Sequence, residues 1–393
     1  MNNIKLLVVD DEIDFAQFVA EVAEGMNFHV LSTDNSSDFS LLYTIDINII
    51  VLDLFMPEID GIELLRFLYE NKSEASIIFM SGKDQSVLHS AENIALEQGM
   101  EVLGTLQKPF RAKDLELLLA KYVRQTKRQN YATREKPSLE ELQSALDNHE
   151  LSLVYQPQIN LASRKVIGFE ALIRWHHPTK GNIPAQYFIP LAEKSNIIHD
   201  ITFFTIKVAI DQLSQWQKTG YDLRMSINFS AKVLEDLDMP EKLLTITKAK
   251  GVDISQVMLE VTETALMSNI THFMDILARL KMKGFSLSID DFGVGYSSLQ
   301  QLVRAPFNEL KIDQVFIRKM DRDKDCRTIV EISILLAHKL GMHVVAEGIE
   351  NEKTWNILSG LGCEEGQGYW IGKAMPAEDV GSWMERWSSL ARS

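Results

Sequence analysis

The sequence predicts two α/β units, an N-terminal doubly wound sheet of five parallel strands and a C-terminal (β/α)8, TIM-like barrel. Short apolar runs alternate with amphipathic segments along the chain, five before residue 125 and eight after residue 150, and that alternation is the pattern of βαβ units. The 393 residues exceed a single domain of about 150 residues, and eight strands over about 250 residues is the size of a closed βα barrel. Charge divides at the same place. Through Gln125 there are 9 Lys and Arg against 21 Asp and Glu, net −12, and from Thr126 onward 31 against 34, net −3.

In the first unit the strand-like runs are Ile4 to Val9, Phe28 to Leu31, Ile47 to Leu52, Ser76 to Met80 and Val102 to Leu106. Helical patterns fill the gaps, as in Phe15, Phe18, Val19 and Val22 at spacings of three and four. From Tyr122 to Ser138 the apolar stripe fades and basic residues accumulate before Pro137, which reads as the tail of a helix followed by a linker. Domain limits of 1–124, 125–137 and 138–393 follow. The second unit carries runs at Leu151 to Tyr155, Val166 to Ile173, Met225 to Phe229, Val257 to Val261, Ser286 to Ile289, Leu310 to Ile312, His343 to Ala346 and Gly366 to Ile371.

Composition narrows the function. With 46% hydrophobic and 24% charged residues the chain can bury sizeable cores and is not mainly disordered. A net charge of −15 argues against broad DNA binding, so a small anionic substrate must be met by local cations. The two cysteines, Cys326 and Cys363, are too few for a disulfide scaffold and lack metal-binding spacing. Lys5 precedes a short apolar run that ends in Asp10, Asp11 and Glu12, unlike a signal peptide, and no apolar stretch reaches the roughly 18 residues of a membrane span. A cytoplasmic protein without a membrane partner is expected.

Open βα sheets and barrels both bind ligands at the carboxyl ends of their strands. In the first unit those ends carry Asp10, Asp11, Asp53, Ser81 and Lys108. Three carboxylates can hold a hard divalent ion such as Mg²⁺, Lys108 adds a point charge for a phosphoryl group, and Ser81 adds a hydroxyl donor. An aspartate attacking phosphorus needs that neutralisation. In the second unit Glu170, Asn228, Glu260, Asp290 and Asp291 form an all-oxygen set that favours Mg²⁺ or Mn²⁺ over zinc. Adjacent Asp290 and Asp291 reach one site only if their strand ends there, which Gly293 and Gly295 permit. Two ions about 4 Å apart suit phosphodiester cleavage, with Lys311 offsetting charge. Neither His176-His177-Pro178 nor the helically spaced Trp383, Met384 and Trp387 reads as a ligand set.

Two resemblances follow from these motifs. Val8-Val9-Asp10-Asp11-Glu12, Leu52-Asp53-Leu54-Phe55-Met56-Pro57 with Asp60-Gly61, Ser81-Gly82 and Lys108-Pro109-Phe110 resemble the receiver domain of two-component response regulators. The resemblance implies that Asp53 accepts a phosphoryl group from a sensor histidine kinase, with Asp10 and Asp11 on one Mg²⁺ and Ser81 and Lys108 on the phosphate. Thr105 stands where many receivers carry a switch Tyr or Phe.

Tyr155-Gln156-Pro157, Glu170-Ala171-Leu172-Ile173-Arg174-Trp175, Asn228-Phe229-Ser230, Glu260-Val261-Thr262-Glu263, Asp290-Asp291-Phe292-Gly293, Lys311-Ile312-Asp313, Ala346-Glu347-Gly348 and Gln367-Gly368-Tyr369 are similar to the EAL-domain phosphodiesterases. That class opens cyclic-di-GMP to linear pGpG. The resemblance implies two metal ions on Glu170, Asn228, Glu260, Asp290 and Asp291, with Lys311, Glu347 and Glu170 in catalysis. It implies substrate contacts by Arg174, Leu172, Gln156 and Gln367, and anchoring of the loop from Asp291 to Ser298 by Glu263. Val294 falls where many members carry Thr. Such proteins commonly pair through this loop region, so a homo-oligomer is expected, as is control by phosphorylation of Asp53. The rival reading is a catalytically weak effector that binds cyclic-di-GMP and signals by contact. It predicts a lost ligand, and none is lost.

Overall fold

The computed structural model describes residues 4–82, 85–132, 137–263, 265, 270–294 and 299–391. The chain divides into two compact units, Met1–Glu135 and Lys136–Ser393.

The first unit holds β1 (Lys5–Val9), β2 (His29–Thr33), β3 (Ile49–Asp53), β4 (Ser76–Ser81) and β5 (Val102–Gln107), all parallel, in the order β2-β1-β3-β4-β5. Helices cover both faces. Leu7, Val9, Ile50 and Leu52 enter one core and Leu6, Val8, Ile49 and Val51 the other, which explains why these strands read as unbroken apolar runs. The strand order reverses between β1 and β3, and such a switch point opens a crevice at the carboxyl ends. The helix after β5 runs over Ala112–Ala132 and so continues into the stretch read as linker. From residue 112 to 136 there is neither Gly nor Pro to stop it.

The second unit is a closed barrel with the eight strands expected. Its strands are β6 (Leu151–Asn160), β7 (Val166–His177), β9 (Arg224–Asn228), β10 (Val257–Thr262), β11 (Ser286–Phe292), β12 (Glu309–Ile312), β13 (His343–Ala346) and β14 (Glu365–Gly366), with a short β8 (Gly181–Ile183) on the outer end of β7. One strand is reversed: β6 runs antiparallel to both β7 and β14. The sequence dictates this, because five residues separate β6 from β7, whereas a parallel crossover needs a dozen or more. Asn160 and Lys165 close the hairpin, backbone N to O 2.9 Å.

β14 is two residues long where a run to Ile371 was expected. At Gly368 (φ +159°) a Cβ would lie 2.2 Å from the Ile349 nitrogen, so the chain turns against that backbone instead of extending the strand.

The barrel interior is polar. Met225, Ile227, Leu259, Ile289, Leu310 and Ile312 alternate outward into the core shared with the surrounding helices. Their neighbours Arg224, Ser226 and Asn228 on β9, Ser288 and Asp290 on β11, and Glu309 and Lys311 on β12 turn inward. The main hydrophobic core therefore lies between strands and helices, and the barrel axis is left to charged and amide groups.

Candidate active site

In the first unit Asp10, Asp53, Ser81 and Lys108 come together at the carboxyl edge of the sheet. Lys108 Nζ lies 2.6 Å from Asp53 Oδ2, 2.7 Å from Asp10 Oδ2 and 3.1 Å from Glu12 Oε1. Oxygens of Asp10, Asp11 and Asp53 lie within 4.8 Å of one another, a fit for one hard cation. Burial is the main reason the Asp10 carboxyl is pushed up to about 6, with Lys108 opposing it. The Lys108 backbone N donates to the Ser81 carbonyl at 2.8 Å, tying the two strand ends together. Two contributors were not read from sequence, Glu12 and the Phe15 ring, whose centroid is 4.6 Å from Lys108 Nζ. Thr105 is half-buried on β5 opposite Phe79.

In the second unit Glu170, Asn228, Glu260, Asp290, Asp291, Lys311, Glu347 and Gln367 line the carboxyl rim. Fully buried Lys311 places Nζ 2.6 Å from Glu347 Oε1, 3.0 Å from Glu260 Oε2, 3.2 Å from Asp290 Oδ1 and 3.7 Å from Glu170 Oε2. Gln367 donates from one nitrogen to Glu170 Oε2 at 2.8 Å and Glu347 Oε1 at 2.9 Å. Asn228 Nδ2 donates to Glu170 Oε1 at 2.9 Å.

Asp290 and Asp291 share the rim by a different route from the expected strand end. β11 continues to Phe292, with its pairing to β12 shifted between Ile289 and Phe292. Asp291 sits there at φ 55°. That bulge and left-handed turn re-aim a side chain that regular alternation would send outward. Oxygens of Asp290, Asp291 and Glu347 lie within 4.8 Å of one another. After them Gly293 (φ +100°) donates its amide to Glu263 Oε2 at 2.9 Å. The far part of the loop that Glu263 is read to anchor, residues 295–298, lies outside the described residues.

The charge state follows from crowding. Burial raises the Glu347 carboxyl to about 8, with Asp290 and Glu170 adding to it and Lys311 opposing. Desolvation beside Asp290 and Asp313 pushes Asp291 up to about 7. Glu170 is drawn the other way: burial would raise it, but Lys311 and the Gln367 and Asn228 amides hold it below the usual carboxylate range. Four surrounding carboxylates raise Lys311 well above its ordinary value despite its burial. The set fits a divalent cation. Glu260 Oε2 meets Lys311, its buried Oε1 has no hydrogen-bond partner among the described residues, and every donor is oxygen.

A cavity of about 980 Å³ opens from this rim. Gln156, Leu172 and Arg174 line it, and it extends between Glu193 and Thr202 on the helices Ala185–Glu193 and Ile197–Lys218. Gln156 Nε2 donates to the Gly372 carbonyl at 3.4 Å, and Arg174 Nη1 to the carbonyl of Ile173 at 2.9 Å. The helical wall and Glu193 were not foreseen from sequence, since no local pattern marks a helix side as pocket lining.

Residues 139–374 match the EAL domain family and residues 6–120 the response regulator receiver domain family. The cyclic di-GMP phosphodiesterase RocR of Pseudomonas aeruginosa is 29% identical over 386 residues, covering 96% of this chain and 98% of that protein. The cyclic di-GMP phosphodiesterase PA2567 of the same organism is 37% identical over 234 residues, 60% of this chain and 40% of its own length. Against PA2567, then, the chain spans well under two thirds of the relative. Among solved structures, the PaMucR phosphodiesterase in complex with c-di-GMP is 37% identical, with a TM-score of 0.60 over 62% of this chain and 98% of that one. No helix among the described residues is long and apolar enough to cross a membrane.

Proposed function

Because the chain belongs to the EAL domain family through residues 139–374 and carries a response regulator receiver domain at 6–120, we propose that it hydrolyses cyclic di-GMP to linear pGpG under control of phosphorylation at Asp53. The observation that carries this reading is the intact rim, in which Lys311 lies within 4 Å of four carboxylates at the mouth of a cavity large enough for a dinucleotide.

Glu170, Asn228, Glu260, Asp290 and Asp291 would hold two Mg²⁺ or Mn²⁺ ions. When bound, such ions supply the charge that activates a water and offsets the phosphodiester's negative charge. The chain's own residues do the rest. Arg174, half-buried on the cavity wall, would meet a phosphate of the dinucleotide, and Leu172 and Gln156 would line its path. Glu347 has Oε1 engaged by Lys311 and Gln367, which leaves Oε2 to take the proton of the attacking water. Lys311 holds Glu347 in place and offsets charge as the phosphorus–oxygen bond breaks. Glu263 keeps Asp291 in its strained turn through the Gly293 amide.

In the receiver unit Asp53 would take a phosphoryl group from a sensor histidine kinase, with one Mg²⁺ on Asp10 and Asp11 and the new charge met by Lys108 and Ser81. Coupling to the barrel would pass through the helix Ala112–Ala132 and its basic continuation, because Thr105 removes the aromatic switch. We take the protein to act in the cytoplasm as a homo-oligomer. The experiment is turnover of cyclic di-GMP by the purified chain with Mg²⁺ or Mn²⁺, with and without a small-molecule phosphoryl donor. Binding without linear product would favour the effector reading instead.

A further inference from the structure

Below the rim, a single line of polar groups runs down the inside of the barrel. Gln367, which donates to Glu170 and Glu347 through Nε2, accepts at Oε1 from Gln158 Nε2 at 3.2 Å. Gln158, fully buried on β6, accepts at its own Oε1 from Arg224 Nη2 at 3.1 Å and Ser226 Oγ at 3.3 Å. Arg224 is held in turn by Glu309 (Nη1 to Oε2, 2.9 Å) and Glu365 (Nη2 to Oε2, 2.7 Å). The reversal of β6 makes the line possible. Gln156 pairs with Glu170 at the rim, and Gln158, two residues on, pairs with Gly168 one layer deeper, where Gly168 itself meets Arg224.

A side-chain amide can be turned either way, with NH₂ and C=O exchanged, so its direction must be set by its partners. Here both ends of the line are unambiguous. A guanidinium only donates, and the carboxylate of Glu170, held ionised beside Lys311, only accepts. Arg224 therefore requires the oxygen of Gln158, Gln158 then offers its NH₂ to the oxygen of Gln367, and Gln367 is left with its NH₂ toward Glu170 and Glu347. Were Gln367 reversed, a carbonyl oxygen would face the Glu170 carboxylate.

We propose that Gln158 and Arg224 are positioning residues for the phosphodiesterase reaction, fixing the donor direction of Gln367 from the opposite end of the barrel. Neither residue lines the cavity. The inference rests on the hydrolytic reading above.

Two substitutions at one position separate direction from packing. Gln158→Glu keeps size and shape and, ionised beside Arg224, can only accept, so it requires an NH₂ from Gln367 and turns that amide over. Gln158→Met fills the space and leaves Gln367 free to choose. The expected loss of kcat for Gln158→Glu is about 10–100-fold, the usual effect of removing a supporting contact behind metal ligands, with KM within about threefold of the parent. Gln158→Met loses less kcat, and melting temperatures measured on both variants show how much of either loss is loss of fold. A Gln158→Glu variant that folds and turns over as fast as Gln158→Met, or faster, would overturn the proposal. Should Gln158→Glu not fold, unchanged kcat in Gln158→Met would overturn it equally, and reduced kcat at unchanged KM would support it. The parent chain, assayed alongside, keeps the two readings apart: if it yields no pGpG, the hydrolytic reading fails first.

Discussion

Lys311 and Glu347 meet 2.6 Å apart on adjacent barrel strands, the lysine fully buried and the glutamate just past the end of β13. The lysine is the cation that lets Glu170, Glu260 and Asp290 share the same interior without a metal ion. Removing one partner of a buried pair leaves an uncompensated charge, at a cost of about 3–5 kcal/mol. Lys311→Met is therefore expected to lower the melting temperature steeply in chelator and to recover much of it with Mg²⁺ or Mn²⁺. Equal melting temperatures for parent and variant in chelator would contradict the role assigned to Lys311.

The raised carboxyls make a prediction about pH. Asp291 is pushed up to about 7 and Glu347 to about 8, against about 3.9 and 4.3 when unfolded. Between those values the folded chain binds more protons than the unfolded one. The contribution of these two groups to metal-free stability is therefore greatest below about pH 4 and falls as pH rises toward 8. A cation must displace those protons, so its affinity should strengthen over the same interval. Calorimetric Mn²⁺ titrations and thermal melts between pH 6 and 8.5 check both slopes. A metal affinity that does not change with pH would count against the cluster as the ligand set.

Glu263 is buried and accepts the Gly293 amide next to the strained Asp291. Glu263→Ala should cost about 1–3 kcal/mol for the unpaired amide, while turnover falls about 10–100-fold because Asp291 loses its support. Glu263→Gln keeps an acceptor oxygen and should be milder in both. Activity losses no larger than the loss of folded protein would show that the contact serves stability alone.

In the receiver unit Lys108 neutralises Asp10 and Asp53 at once. Lys108→Met should destabilise this unit in chelator, Mg²⁺ should restore it, and phosphorylation of Asp53 should be lost. Asp53→Ala should abolish any response of turnover to a phosphoryl donor. Identical kinetics for the parent, Asp53→Ala and a chain lacking the receiver, with and without donor, would sink the regulatory proposal and leave the hydrolytic one standing.

The strand-end residues were legible because apolar runs stop at a carboxylate or lysine, and in βα architectures that stop is the binding edge. Asp10 and Asp53 could thus be placed from sequence, whereas Glu170 and Glu260 lie within their apolar runs and stood out as acids late in a strand. What escaped is what depends on direction and register. The reversal of β6 lay in a five-residue connection, and it is what carries Gln158 into the layer below the rim. The bulge at Asp291 lay in a pairing shift that no local pattern marks. Arg224, Glu309 and Glu365 begin strands, at the end opposite the chemistry, where a reader of strand ends does not look. Glu193 lies on a helix whose pocket-facing side is set by packing alone.

The most direct measurement is the product of cyclic di-GMP incubated with the purified full chain in Mg²⁺ or Mn²⁺, separated by chromatography, beside Glu347→Gln under the same conditions. Linear pGpG is expected from the parent, none in chelator, and a rate lower by about a hundredfold or more in Glu347→Gln, which stays folded because Lys311 keeps Glu170, Glu260 and Asp290 as partners. Nucleotide that binds the parent in metal yet stays cyclic, or a Glu347→Gln variant that turns over as fast as the parent, would contradict the hydrolytic reading.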